Sequence, residues 1–553
     1  MSGGFVRADG RRLVGHGAAP APRRGVGLGN WLLSEGYMWG FGQGGPTSQR
    51  QLEALFEDLV GPIRAEVFWR RFRQTFITES DIAQMAGDGF DHVRVPINHR
   101  ALGGDRPPEG YGWACLDDLV GWCKSHGLGV VLDLHGAPGG QTGTDIDDSP
   151  RGRPELFEDR ANQVATVELW RKIASRYADE PWVIGYDLLN EPLPGQWRRH
   201  SDQLVRLYRE LTAAIRAVDK NHLIIYEGTH WATDWGLFTE VWDDNSALQF
   251  HKYWSAPDRS SLAPYLAARD RLGLAIYMGE GGENSPGWLA IAMQLYEQLE
   301  IPWNFWPWKK LNTVTSPWSV APPAGWSDIL AYAAGQAARP DPEAAWATLS
   351  ALAESMEIAN CRPRLEIVNS LMRRAPLTFP AAAFTRAAGR VQEPAALLPE
   401  PVVPPATGGA FRSGEPVAVV WDRPTAADWA LDDGRPPATE TGYLVLLEPG
   451  EQVSYQIWWP DPGPWEVAIA AQGSPKLRLG GREVALMSAQ RPDTATGVVA
   501  VDDAVGPGSG GRPVSLTVAA SRGPVRLRSV RIARVAPSNG AAAGDRARPR
   551  QDP

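Results

Sequence analysis

Two glutamates stand where apolar runs end: Glu191 in Asn190-Glu191-Pro192 and Glu280 in Met278-Gly279-Glu280-Gly281. Two carboxyl groups flanking one bond are what glycoside hydrolysis requires, one protonated to donate to the leaving oxygen and the other ionised. A gap of about 5–5.5 Å allows a covalent glycosyl-enzyme and retention, whereas about 6.5–9.5 Å leaves room for water and gives inversion. A lone glutamate is ordinarily solvated or salt-bridged. A pair at matching strand ends points instead to chemistry. Other polar residues also gather where apolar runs stop, namely Arg94, His135, Asn190 and His251. Glu283 follows three residues after Glu280, but no strand alternation points it inward.

Positioning such residues takes a scaffold that brings many strand ends together. Short β-rich runs at 25–30, 91–96, 129–135, 183–190, 223–228, 248–253, 274–280 and 302–306 alternate with helical patterns such as 79–86, 116–126, 161–177 and 202–218. Val130-Val131-Leu132-Asp133-Leu134 is nearly all apolar, as strands buried on both faces of a parallel sheet are. The fold class expected is α/β, a (β/α)8 TIM barrel whose strand C-termini share one mouth, followed by a smaller all-β sandwich. The expected division is an N-terminal segment at 1–21, the barrel at 22–375, a Pro/Ala-rich linker at 376–413, the sandwich at 414–536 and a disordered tail at 537–553.

The 553 residues suit one large catalytic domain plus a smaller one. A net charge of −9 argues against nucleic-acid or anionic-membrane partners, which need a basic surface. Neutral sugars are compatible with it, and the 24 tryptophans could supply rings that stack on sugar C–H faces. Cys115 and Cys123 are separated by roughly 12 Å if helical, too far for a disulfide, and with Cys361 they show no zinc-type spacing. No metal or other cofactor is expected. Without an apolar signal region or a membrane-length run, a cytoplasmic location is the expectation.

Further motifs occur in order along the barrel. They are Arg24-Gly25-Val26-Gly27-Leu28-Gly29-Asn30-Trp31-Leu32, Gly89-Phe90-Asp91-His92-Val93-Arg94-Val95-Pro96, Asp133-Leu134-His135, Asn190-Glu191-Pro192, His251-Lys252-Tyr253, Gly279-Glu280 and Phe305-Trp306. Together they resemble glycoside hydrolase family 5, within the clan whose catalytic glutamates end the fourth and seventh strands. The resemblance implies Glu191 as acid/base and Glu280 as nucleophile. It places the positive charge of Arg94 beside Glu280 and lets Tyr253 donate to the same carboxylate. Asn190 would bond the sugar 2-hydroxyl, His135 and His251 would position hydroxyls and keep Glu191 suitably protonated, and Trp306 would form a sugar platform. Trp308 is the alternative platform, because Trp306-Pro307-Trp308-Lys309 offers two rings.

Leu134-His135-Gly136-Ala137-Pro138-Gly139-Gly140-Gln141 resembles a loop of exo-acting β-1,3-glucanases. Trp31-Leu32-Leu33-Ser34-Glu35 puts Glu35 where that subgroup binds a terminal sugar. The segments 36–41 and 279–284 depart from the subgroup's forms. Residues 447–455 and 462–467 resemble carbohydrate-binding sandwiches of families 6 and 35, so the C-terminal module would either bind sugar or pack on the barrel, with Trp458, Trp459 and Trp465 as platforms or core. The reading is a retaining hydrolase of β-glucans, β-glucosides or oligosaccharides, with transfer to other acceptors open. The alternatives are β-mannan or a glycolipid or other aglycone glycoside by the same mechanism, and a non-catalytic sugar-binding barrel. Metal-dependent barrel hydrolysis lacks a ligand set.

Overall fold

The apolar runs become strands because each is covered on both faces once the sheet closes. In this computed structural model, which describes residues 4–15, 21–103, 111–253, 255, 257–389, 415–421, 443–488, 494–501 and 513–535, they are β1 (Arg24–Gly27), β2 (His92–Asn98), β3 (Gly129–Gly136), β4 (Val183–Asp187), β5 (Leu223–Glu227), β6 (Ser246–Lys252), β7 (Ala275–Gly282) and β8 (Trp303–Trp306). All neighbours are parallel, and β8 pairs with β1 to close the barrel. Parallel closure puts the ends of β2 to β8 on one rim, so residues far apart in sequence face each other there.

Helices cover the outside by ordinary means. Helix Ser201–Val218 buries Leu204, Leu207, Tyr208, Leu211 and Ile215, a stripe at helical spacing. Helix Glu79–Asp88 starts with a capping box between Thr78 and Asp81 and ends at Gly89 in the left-handed region. Between β1 and β2 two further helices, Gln49–Val60 and Pro62–Phe76, enclose Trp39 in an aromatic cluster with Phe56, Phe68, Trp69, Phe72 and Trp326. The opposite rim is closed by a hairpin of Arg7–Asp9 and Arg12–Val14; Leu13 within it and Val6 just before it pack against Val131, Ile184, Leu223 and Ile225.

The C-terminal region is two antiparallel sheets facing one another. One holds strands Ala418–Trp421, Tyr443–Leu447, Val525–Arg534, Gly463–Gln472, Thr494–Val501 and Met487–Ser488; the other holds Arg386–Ala388, Gln452–Ile457, Val514–Ala520, Pro475–Leu479 and Arg482–Val484. The stretch expected to be a linker from 376 already belongs to this sandwich: Leu377–Pro380 pairs with Val525–Arg534, and Arg386–Ala388 pairs with Gln452–Ile457. Its prolines are tolerated because these strands lie at sheet margins, where a missing N–H costs no ladder bond. Residues 390–413 of that stretch and the tail at 537–553 lie outside the described residues.

Trp458, Trp459 and Trp465 are buried, and Trp459 packs edge-on against Trp465 within the sandwich. The sandwich leans on the barrel through helix Pro286–Gln298, which packs against Leu377–Pro380 and the turn Ala381–Ala383. Backbone bonds Ala375 N to Trp458 O and Trp458 N to Arg373 O, both 2.9 Å, reinforce the join. Among the described residues no helix is long and apolar enough to cross a membrane.

Candidate active site

Strand β4 ends at Asp187, and the chain continues to Asn190 and Glu191 at the mouth. Glu191 has φ 46°, a left-handed conformation uncommon outside glycine, and its backbone N–H donates to Glu227 Oε2 at 2.7 Å. That bond anchors the turn. The Glu191 carboxylate then meets His251 Nδ1 at 2.6 Å. Glu280 is carried by β7 itself; its Oε2 accepts from Arg94 Nη1 at 2.7 Å and its Oε1 from Tyr253 Oη at 2.5 Å. Gly279 makes this possible, since a Cβ there would lie 2.0 Å from the Gln249 side chain.

Glutamates 191 and 280 face one space. A carboxylate oxygen of each, together with a ring nitrogen of His251, all lie within 4.8 Å of one another. Such a trio could be read as metal ligands. Yet His251 Nδ1 is hydrogen-bonded to Glu191, and Glu280 is taken by Arg94 and Tyr253, so the donors are arranged for proton transfer rather than chelation.

Arg94 is fully buried and organises the floor. Its Nε bonds Asp187 at 2.9 Å; its Nη2 bonds Asn190 Oδ1 at 2.8 Å and reaches Asp133 at 3.1 Å and Glu227 at 3.2 Å. Burial works against the charged guanidinium, but Asp133, Asp187, Glu280 and Glu227 together hold it well above its ordinary range. Because Arg94 takes the Asn190 oxygen, the Asn190 amide NH2 is free to face outward as donor and lies 3.3 Å from His135 Nε2. Asp133 Oδ2, at 2.7 Å, occupies His135 Nδ1, and burial lowers His135 to about 4, leaving a neutral ring.

The other histidine behaves oppositely. Burial would lower His251, but the carboxylates of Glu227 and Glu280 and the bond to Glu191 raise it well above 6.5. Burial would raise Glu191, but the bond and charge of His251 bring it below its ordinary value. One proton therefore rests in the Glu191–His251 pair, and His251 rather than His135 is the residue that touches Glu191.

Trp306 lies at the end of β8, with its ring stacked on His135 at 5.7 Å and an interplanar angle of 2°. Gly27 and Gly29 let it lie flat on β1 and the turn beyond; a Cβ at either would come within 2.6 Å of the indole. Trp308 is turned the other way, a correction to its reading as a platform. Its ring is buried behind the barrel beside Phe90, and Nε1 donates to Asp81 at 2.9 Å. The chain leaves strand geometry between Trp306 and Lys309, so the two rings do not share a face.

Glu35 reaches the same region, buried, with no side-chain hydrogen bond or ion pair among the described residues. Burial, then the charges of Glu280, Glu283 and Glu191, raise it well above 4.5, which favours a neutral carboxyl able to donate.

Several residues the sequence reading gave no role now appear as supports. Asp187, Glu227 and Gln249 hold Arg94, Glu191 and each other. Gln141 Nε2 bridges His135 O at 2.7 Å and Asn190 O at 3.0 Å, tying the β3 and β4 loops together. Each of the first three interrupts an apolar run at strand spacing, which was the available signal.

A family model described as cellulase, glycosyl hydrolase family 5, matches residues 58–312. A β-xylosidase of Phanerodontia chrysosporium is 27% identical over 349 residues, 56% of this chain and 71% of that protein. Endoglucanase C of Acetivibrio thermocellus is 34% identical over 193 residues, 34% of this chain and 53% of that protein. The chain spans about half the length of most of the curated relatives it matches. The crystal structure of an endogalactoceramidase aligns over 95% of this chain and 99% of its own, at 17% identity and a TM-score of 0.46. The matched stretch is the part of the barrel that carries both Glu191 and Glu280, and over it the chain is similar to glycosyl hydrolase family 5.

Proposed function

We propose that this protein hydrolyses β-glycosidic bonds with retention, Glu280 acting as nucleophile and Glu191 as acid and then base. The observation that carries this reading is the approach of the two carboxylates to within 4.8 Å, on the short side of the roughly 5–5.5 Å of retaining enzymes and well below the inverting range. Glu280 attacks the anomeric carbon as Glu191 gives its proton to the leaving oxygen, producing a glycosyl ester and a free aglycone. Glu191 then takes a proton from water, which attacks the anomeric carbon and returns Glu280 as carboxylate.

The neighbours suit these steps. Arg94 and Tyr253 hold Glu280 in the orientation for attack. The Asn190 NH2 faces the place of the 2-hydroxyl, a contact that gains strength as positive charge develops on the sugar. Esterification removes the charge of Glu280, one of the carboxylates that hold the proton on His251. The Glu191–His251 pair thus binds its proton less tightly and stands unprotonated when a base is needed.

The substrate class proposed is the β-glucosides and β-glucans, with β-xylosides as a neighbouring possibility in keeping with the matched relatives. The C-terminal sandwich is proposed to brace the barrel, a reading supported by the burial of Trp458, Trp459 and Trp465 and by the shared core. The test is a panel of 4-nitrophenyl β-glycosides followed by proton NMR of the first sugar released. Initial appearance of the β-anomer is expected; an α-anomer, or no turnover of any β-glycoside, would sink the proposal. Glu280→Gln should remove turnover, and Glu191→Ala should regain the second step in azide.

A further inference from the structure

Glu283 lies three residues beyond the nucleophile, just past the end of β7, where Gly282 at φ 138° and Glu283 at φ 44° turn the chain out of strand geometry. The side chain consequently turns into the mouth, where it is buried. Its Oε1 pairs with Lys310 Nζ, and its Oε2 accepts from Tyr37 Oη at 3.4 Å. Lys310 Nζ also sits 5.0 Å above the Tyr37 ring. Tyr37 Oη in turn accepts from Trp306 Nε1 at 2.9 Å.

The direction of this chain follows from what each group can do. An indole N–H only donates, so Tyr37 must spend a lone pair on Trp306 and point its own proton elsewhere. The acceptor in reach is Glu283, and Lys310 supplies the charge that stabilises the carboxylate there. Burial, then Glu283 and Glu35, raise Tyr37 well above 10, so the phenol keeps that proton. Three separate segments, those after β1, β7 and β8, are thereby fastened to the rim of one ring.

We propose that Glu283 and Lys310 are positioning residues that act through Tyr37 to fix the tilt of Trp306, and so set affinity for the sugar lying on it. The proposal rests on Trp306 being the sugar platform of the retaining hydrolase described above. A platform contact is made in ground and transition states alike, so its loss falls on KM rather than kcat.

The experiment is steady-state kinetics of the full chain with 4-nitrophenyl β-glucoside. Tyr37→Phe, nearly isosteric, and Lys310→Met should each raise KM about tenfold, the effect of losing one charge-assisted bond, with kcat within about twofold. The double variant should be no worse than either single variant, because the relay is broken at any link. Lys310→Arg should restore KM, and in a Trp306→Ala background Tyr37→Phe should change nothing further. Unchanged KM in Tyr37→Phe, or a full additional rise in the Trp306→Ala background, would overturn the relay while leaving the hydrolase reading intact. A wild-type protein inactive on every β-glycoside overturns both.

Discussion

His251 stands between the carboxylates of Glu191 and Glu280, and under the proposed mechanism its protonation sets the upper pH limit of the site. Its raised pKa means that the proton of the Glu191–His251 pair is present below the imidazole's ordinary 6.5 and is lost only as pH rises through the higher value. Asparagine at this position leaves the proton to Glu191 alone. The alkaline limb of kcat/KM in His251→Asn should accordingly move to lower pH, and a pH–rate profile with an unmoved limb would remove His251 from the proton's path. The two tryptophans make a second contrast. Trp308→Ala should cost about 3–5 kcal/mol of stability by emptying a buried site, with KM unchanged, whereas Trp306→Ala should raise KM. Chemical denaturation and kinetics on the same two variants check both halves.

At the scale of elements, the barrel is held by partly buried polar ties as well as apolar packing, among them one at the rim opposite the mouth, where β1 begins. Glu297, on helix Pro286–Gln298, bonds Arg24 Nε of β1 at 2.8 Å and Arg373 Nη2 at 2.5 Å. Burial opposes the carboxylate, but Arg373 and Arg24 bring it to about 2 from 4.5. A depressed folded pKa gives stability that is fully present above the unfolded value and disappears as pH falls from about 4.5 through about 2. Glu297→Gln should therefore lower stability by about 2 kcal/mol at pH 7. The deficit should shrink at pH 3; an equal deficit at both values, by urea titration, would mean the loss is one of packing.

Over the whole molecule, barrel and sandwich share a continuous core. The cluster of buried side chains runs from Ala290 and Met293 on the barrel helix to Phe379, Tyr455, Ile457 and Val530 in the sheets. Tyr455 Oη adds a bond to Ala381 O at 2.8 Å beneath that contact. Parts that share a core melt together, so scanning calorimetry should show one cooperative transition for the intact chain. Two separated transitions would mean that the sandwich is a passenger and that bracing is not its role.

The sequence by itself determined the barrel, the order of its strands and the placing of Glu191 and Glu280 at one mouth. Near-continuous apolar runs have one comfortable environment, a parallel sheet covered on both faces, and closure carries whatever ends those runs to a common rim. Which acids share the floor was not legible. Asp187 and Glu227 look like interruptions of their strands until closure brings them against Arg94. The choice between Trp306 and Trp308 depended on where the chain leaves β8, and the inward turn of Glu283 on one left-handed residue that strand alternation cannot foresee. The strands at 377–380 and 386–388 read as linker because edge strands need little apolar sequence of their own; their partners at 525–534 and 452–457 define them. Local pattern decides what a segment can become, whereas burial, charge pairing and the direction of a side chain are set by neighbours distant in the chain.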